Sequence, residues 1–199
     1  MPANGQLDDK FGSPFGDPFG DEEPNVIVEV AANADSVAPG GQLVVAAILD
    51  HADHWHSHLN EPVVPPEMEG FTPIATQVIV TSAGDAVTVG PIQWPEPHAG
   101  EVAFTGTPVE YLVYEGRAIA YVPLLVSQDA VVGESIQLTI EIEYQSCNDE
   151  YCDLPMRETR TLSVAIAGAS AAAAVANADF DGFAPSVFAR PWDAAGTHT

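Results

Sequence analysis

The chain has 199 residues, of which 46% are apolar, so it is long and hydrophobic enough to bury a core. Its 29 Asp and Glu against 5 Lys and Arg give a formal net charge of −24 at pH 7. Such a charge repels phosphate groups, which argues against nucleic acid and anionic membrane surfaces as partners. No run of about 18 strongly apolar residues predicts a membrane span. The first residues, MPANGQLDDKFG, also lack the basic start and apolar run of a signal peptide.

The composition divides the chain into three parts. Residues 1–24 repeat Phe-Gly and Pro-Phe pairs among Gly, Asp and Pro, which predicts a disordered tail because little apolar surface is available for burial. Residues 168–199 begin with the Ala-rich run GASAAAAVANA and are predicted to form a linker and a flexible tail. Residues 25–167 are predicted to fold as one domain.

The central domain has β-type sequence patterns throughout. Seven segments rich in Val, Ile, Thr and Tyr are separated by Pro and Gly clusters, and no segment keeps a helical period. The predicted strands are Val26 to Ala31, Gln42 to Leu49, Ala75 to Thr81, Ala86 to Ile92, Ala118 to Val126, Ser135 to Gln145 and Thr159 to Ile166. This pattern indicates an all-β fold, an antiparallel β-sandwich of immunoglobulin-like type with flexible tails.

The segment 135–145 has the most regular alternation, with apolar side chains at the even positions from Ile136 to Tyr144. The even positions are therefore expected to face the core and the odd positions water. Continued by two residues, the same geometry places Ser146 on the core side and Cys147 on the solvent side. The sequence from Cys147 to Cys152 is then expected at an exposed hairpin end, between the last two strands.

These two cysteines are the strongest functional signal, and they are close enough in sequence for a disulfide across a hairpin end. A bridge that closes so short a loop removes only about 2 kcal/mol of unfolded-state entropy, so a redox role is favoured over a structural one. A static disulfide stays as an alternative. A zinc site is a weaker alternative, because zinc usually takes four Cys or His ligands and no histidine is near in sequence.

Acidic residues surround the cysteines. Asp149, Glu150 and Asp153 should raise the thiol pKa and disfavour the thiolate, and Arg157 is the only local cation in the sequence. We therefore expect the disulfide to react with a low-pKa thiolate supplied by a thioredoxin-like partner, and not to act as a nucleophile alone.

The run Tyr144-Gln-Ser-Cys-Asn-Asp-Glu-Tyr-Cys-Asp-Leu-Pro155, between two predicted strands, resembles the N-terminal domain of the thiol:disulfide interchange protein DsbD and related bacterial reductases. The runs Gly90-Pro-Ile-Gln-Trp-Pro95, Tyr114-Glu-Gly116 and Trp55-His56 support the resemblance, which spans roughly residues 25 to 167. The membrane segment and thioredoxin-like domain of the full-length reductases are not among the 199 residues.

The resemblance implies a periplasmic, immunoglobulin-like module of a protein-disulfide reductase, with Cys147 and Cys152 as its catalytic pair. A thioredoxin-like protein or domain would supply two electrons, oxidised thiol proteins would receive them, and no cofactor besides the disulfide would be needed. An aromatic cap loop shields the sulfurs in the family, which suggests Phe104 for that role. Tyr144 and Tyr151 are further candidates for packing beside the sulfurs.

Four histidines, His51, His54, His56 and His58, lie within eight residues. In an extended chain the last three project to one side, and such a cluster can hold zinc, copper or nickel. The competing interpretations of the whole domain are accordingly a non-catalytic binding module with a static disulfide, which docks through its tails or this cluster, and a metal-handling protein.

Overall fold

The computed structural model describes residues 24–82, 84–103, 106–170, 175–189 and 192. Twelve β-strands form within these ranges, joined by turns and three short 3-10 segments, and no helix there is long and apolar enough to cross a membrane. The strands are β1 (Val26–Ala32), β2 (Ser36–Val37), β3 (Gln42–His51), β4 (His56–His58), β5 (Gln77–Ser82), β6 (Val87–Val89), β7 (His98–Val102), β8 (Val109–Glu115), β9 (Arg117–Val126), β10 (Ser135–Tyr144), β11 (Ser146–Cys147) and β12 (Met156–Ile166). The 3-10 segments are Pro66–Met68, Ala178–Phe180 and Pro185–Ala189.

The strands form three four-stranded sheets with the orders β1-β3-β9-β6, β2-β12-β10-β5 and β11-β4-β8-β7. All their pairings are antiparallel except that of β2 with β12. The first two sheets enclose the main core, to which β3 and β9 contribute Leu43, Val45 and Val122 and β10 contributes Leu138 and Ile140. The prediction of an all-β sandwich is confirmed.

The alternation predicted for β10 is also confirmed. Its even positions are 0–3% exposed, whereas the odd positions from Ser135 to Thr139 are exposed. β10 and β12 pair over their full common length, from Ser135 opposite Ala165 to Tyr144 opposite Met156. The segment that carries the cysteines therefore connects the two strands of a long hairpin, as the sequence indicates.

The third sheet was not predicted. Its strands β4, β7 and β8 have no regular alternation over a useful length, because β4 is three residues long and β7 carries the sequence HAGEV. Tertiary contacts stabilise this sheet, whose small core contains Met68, Val102, Tyr111 and Val113. It lies beside the sandwich and contributes β4 and β11 to the cysteine region.

The C-terminal segment packs on the outer face of the first sheet, although its composition predicts a flexible tail. Phe180, Phe183 and Phe188 cover Tyr121 and the outward-facing residues of β3. The Tyr121 hydroxyl donates to the carbonyl of Asp179 at 2.7 Å. Three aromatic side chains in a short segment bury enough apolar area to offset the entropy lost when the segment becomes ordered. The Ala-rich run before them dominates the composition and hides this signal.

Replacement of Phe183 by alanine tests this packing. The ring is half-buried and lies 5.6 Å from the ring of Tyr121. We expect Phe183→Ala to lower the free energy of unfolding by about 2 kcal/mol, roughly half the cost of removing a fully buried ring. Ser186→Ala, at an exposed position of the same segment, is the control and should change it little. Equal urea midpoints for both variants would show that the segment does not stabilise the domain.

Candidate functional site

Backbone pairing with β4 fixes the position of the first cysteine. β10 ends at Tyr144, and after Gln145 the chain forms β11, in which Ser146 pairs with Ser57 and Cys147 pairs with His56. The chain thus leaves the second sheet and joins the edge of the third. Cys147 therefore lies at the edge of the third sheet, beside His56 of β4.

Cys147 and Cys152 form a disulfide with an S–S distance of 2.07 Å. Cys147 is 0% exposed, and Cys152 is partly exposed. The expectation that Cys147 faces solvent is therefore wrong, because the alternation of β10 does not continue once the chain changes sheets. The first cysteine is therefore enclosed, and the second is the more exposed of the two.

His58 lies directly against the enclosed sulfur. Its Nε2 is 3.4 Å from the Sγ of Cys147, although 89 residues separate the two in sequence. Among the described residues, His58, Cys147 and Cys152 form a group whose ligand atoms all lie within 4.8 Å of one another. No histidine is near the cysteines in the sequence, but the fold brings His58 beside them.

An apolar, aromatic pocket surrounds His58, which is 0% exposed. Its ring centroid lies 5.5 Å from that of Phe71 and 5.7 Å from that of Tyr111. Burial, the largest cause, and the neighbouring His56 together lower the pKa of His58 to about 4, against a hydrogen bond with the Gln145 side chain that raises it. The ring is therefore neutral at pH 7.

The other three histidines have separate environments. His51 is buried at the end of β3, where its ring contacts the carbonyl of Gly116 at 2.8 Å and the Ser57 hydroxyl at 3.0 Å. His54 is exposed in a turn with φ of +68°. His56 is buried, which lowers its pKa against the opposing charge of Asp149. The fold thus groups His58 with the cysteines, while the predicted four-histidine metal site stays a prediction.

The turn between the cysteines is held by its own hydrogen bonds. The Asn148 side-chain oxygen accepts from the backbone N–H of Glu150 and of Tyr151, both at 2.9 Å. Tyr151 is 52% exposed, and its ring packs edge-on against Trp55 with centroids 5.7 Å apart. Leu154 follows at 83% exposed. The more exposed cysteine therefore lies in a surface that carries exposed apolar side chains.

The acidic residues near the sulfurs differ in their partners. Asp149 and Glu150 are exposed, whereas the carboxylate of Asp153 accepts hydrogen bonds from Asn25 at 2.6 Å and from the Ser146 hydroxyl at 3.1 Å. Asp153 thus helps to hold the turn in place. The local cation, Arg157, forms ion pairs with Glu141 and Glu143 on β10.

Of the two candidate shielding residues other than Tyr151, one lies within the described residues. Tyr144 is a buried member of the main core, and its hydroxyl donates to Glu158 at 2.8 Å. Burial, followed by that hydrogen bond, raises the pKa of Tyr144. Phe104 lies outside the described residues. The preceding residue, Ala103, donates its backbone N–H to the carbonyl of Asp149 at 3.0 Å, so the chain after β7 reaches the cysteine turn.

Comparison with known proteins gives one family. The sequence model of the family described as "Thiol:disulfide interchange protein DsbD, N-terminal" matches residues 24–164. No curated protein matches the chain.

Several solved structures are similar to this one, and two of them are N-terminal domains of related proteins. The N-terminal periplasmic domain of ScsB from Proteus mirabilis has 17% identity and a TM-score of 0.43, and the match covers 70% of this chain and 46% of that one. The reduced N-terminal domain of DsbD from Neisseria meningitidis has 17% identity and a TM-score of 0.39, and the match covers 71% of this chain and 86% of that one. The chain thus spans about half the length of the ScsB structure.

The lowered pKa of His58 predicts a pH dependence of stability. The unfolded chain binds a proton at this ring near pH 6.5 and the folded chain near pH 4, so stability is full above pH 6.5 and is lost as pH falls toward 4. Between pH 7 and pH 5, protonation of this ring in the unfolded chain should lower the free energy of unfolding by about 2 kcal/mol. Urea unfolding of the oxidised protein should show this loss in the wild type and a smaller loss in His58→Gln. Equal losses would show that His58 is not held neutral by the fold.

Proposed function

Because the chain belongs to the family of N-terminal domains of the thiol:disulfide interchange protein DsbD, we propose that Cys147 and Cys152 relay two electrons from a thioredoxin-like partner to oxidised proteins outside the cytoplasm. The observation that carries the proposal is a disulfide with one partly exposed cysteine, in a domain that matches this family over residues 24–164. The module acts as a protein-disulfide reductase only together with its partner.

The unequal exposure of the two cysteines supports an order of attack. A thiolate of the partner attacks Cys152 Sγ, the sulfur of the more exposed cysteine, in line with the S–S bond. The Cys147–Cys152 bond breaks, and its electron pair leaves on Cys147 Sγ, which takes up one of the two protons that the partner's thiols lose. A second partner thiolate then attacks the partner sulfur of the mixed disulfide and releases Cys152 as a thiolate, which takes up the other proton. The domain becomes a dithiol, and the partner becomes a disulfide.

The surface around Cys152 supports docking of a protein. Tyr151 and Leu154 are exposed apolar side chains on either side of Cys152, and Met156 follows at 47% exposed. Exposed apolar side chains close to a reactive group favour transient binding of a partner's apolar surface. Trp55, packed against Tyr151, stiffens one side of this surface.

The location and the lack of a cofactor follow from the chemistry of the proposal. A disulfide with one partly exposed cysteine persists in an oxidising compartment and is reduced by thiol systems in the cytoplasm, so the domain works outside the cytoplasm. The two electrons are carried by the sulfur atoms, so exchange needs no further cofactor.

A static disulfide is the second candidate function, and the enclosure of Cys147 is the observation that favours it. In that case the domain is a binding module and the bond only closes a turn. The partial exposure of Cys152 weighs against this alternative, since attack at one sulfur is enough to start exchange.

Trapping a mixed disulfide separates the two candidates. We expect the oxidised domain to form an adduct with a thioredoxin whose resolving cysteine is replaced by serine. Peptide mapping by mass spectrometry should place the adduct on Cys152, because Cys147 is enclosed. Cys152→Ala is the matched control. Its remaining cysteine, Cys147, is converted to a mixed disulfide with a small thiol, and this enclosed disulfide should react far more slowly with the same thioredoxin. An adduct on Cys147 would contradict the order of attack, and no adduct would support a static bond.

Charge around the sulfurs gives a separate prediction. Exposed carboxylates disfavour a thiolate nearby, so Asp149→Asn combined with Glu150→Gln should speed alkylation of the reduced domain by iodoacetamide by roughly 2- to 5-fold. The gain should shrink as salt is added. Glu134→Gln, an exposed acid at the other end of β10, is the control. An unchanged rate in the double variant would show that enclosure alone sets thiol reactivity.

A further inference from the structure

The dithiol form of the site has the donor set of a metal centre. In the oxidised domain the S–S bond holds the sulfurs 2.07 Å apart, and His58 Nε2 lies 3.4 Å from the nearer one. Reduction breaks that bond and lets the sulfurs separate, while the backbone pairing of β11 with β4 keeps Cys147 beside His58. Two sulfurs and one imidazole nitrogen then face the same small volume.

We propose that the reduced domain binds one zinc ion through Cys147 Sγ, Cys152 Sγ and His58 Nε2, with solvent as the fourth ligand. The reduced state is one the proposed function generates, and a chemical reductant generates it as well. Two electrons and two protons first reduce the disulfide to two thiols. Zn²⁺ then binds to the two sulfurs, and the two thiol protons are released. The four-coordinate Cys₂His-plus-water arrangement is an established type of zinc site.

The distances fit this ion. Zinc–sulfur bonds of about 2.3 Å and zinc–nitrogen bonds of about 2.0 Å place tetrahedral ligand atoms roughly 3.5–3.8 Å apart. The three ligand atoms already lie within 4.8 Å of one another. Reduction moves the sulfurs apart toward the zinc-compatible spacing, so little rearrangement of the backbone is required.

The net charge of the buried site favours a divalent cation. Cys147 and His58 are both 0% exposed, and a buried site tolerates little net charge. Two thiolates, one neutral imidazole and a divalent cation sum to zero, whereas a monovalent cation such as Cu⁺ leaves a buried net negative charge. The partial exposure of Cys152 opens the site to solvent on one side, which supplies the fourth ligand.

Zinc binding would change what the reduced domain can do. Both thiolates become metal ligands, so neither is free to attack an oxidised protein, and the dithiol is protected from reoxidation. Zinc thus holds the domain in its reduced state and withholds its electrons until the metal is removed.

The test uses the full chain, reduced with tris(2-carboxyethyl)phosphine and desalted without oxygen, so it does not depend on exchange with a partner. Zinc is titrated against the chromophoric chelator 4-(2-pyridylazo)resorcinol. We expect one equivalent bound by the reduced wild type and none by the oxidised wild type. His58→Gln should weaken zinc binding by at least roughly tenfold. Loss of a group that only orients a metal ligand already costs about that much affinity, and His58 is proposed as a ligand itself.

Tyr111→Phe is the matched control. It removes a hydroxyl in the same pocket that is buried without a hydrogen-bond partner among the described residues, 5.7 Å from His58 between ring centroids. Zinc affinity should stay at the wild-type value. Cobalt gives a second readout, since reduced wild type should show thiolate-to-cobalt charge transfer and tetrahedral visible bands, with shifted visible bands in His58→Gln.

A measurement on the wild type alone keeps the test valid if His58→Gln does not fold. In spectra of the histidine ring nitrogens of the ¹⁵N-labelled, reduced wild type, zinc should shift the Nε2 resonance of one histidine. Equal zinc affinity in the oxidised and reduced wild type would overturn the proposal. So would an unshifted histidine nitrogen, or wild-type affinity together with an unchanged cobalt spectrum in His58→Gln. These results leave the partner exchange untouched, which is tested separately by the thioredoxin adduct.

Discussion

The two-residue pairing of β11 with β4 is the constraint on which the site depends. Without it, the segment after β10 would be a simple hairpin connection, and both cysteines would be open to solvent. The pairs Ser146–Ser57 and Cys147–His56 draw that connection onto the edge of the third sheet. As a result Cys147 is enclosed beside His58, Cys152 stays partly exposed, and the disulfide has two chemically different ends.

That asymmetry also explains how a strongly acidic domain takes part in thiol exchange. A net charge of −24 and exposed carboxylates at Asp149 and Glu150 disfavour a free thiolate on the domain. The same charges do little to an intact disulfide, which in the proposed relay only has to accept a partner's thiolate. Exposed apolar side chains at Tyr151 and Leu154 would give such a partner a contact that does not depend on charge. The site therefore suits a relay whose nucleophile is supplied from outside.

The sequence predicted the sandwich well because its long strands carry their own signal. β10 alternates over ten residues, and one face of it is buried throughout. The third sheet could not be predicted in this way. β4 is three residues long with all of them buried, and β7 contains a glycine and mostly exposed side chains, so neither has a pattern that separates a strand from a loop. The contact between His58 and Cys147 spans 89 residues and depends on those short strands. The spacing of the histidines drew attention to His58, but only the fold shows that its partner is a cysteine.

The packing of the C-terminal segment could not be predicted from the sequence either. Composition averaged over residues 168–199 is dominated by the Ala-rich run, and it hides three phenylalanines that cover the outer face of β3 and β9. Burial depends on where an apolar side chain lands, and an average over a segment does not contain that information.

The most direct test of the central claim is the reduction potential of the Cys147–Cys152 pair, measured at equilibrium with thioredoxin. A redox-active relay should equilibrate with thioredoxin and have a potential well above about −300 mV, near or above the thioredoxin value of about −270 mV. A potential below about −300 mV, with no exchange between the two proteins, would mark a structural bond and contradict the account.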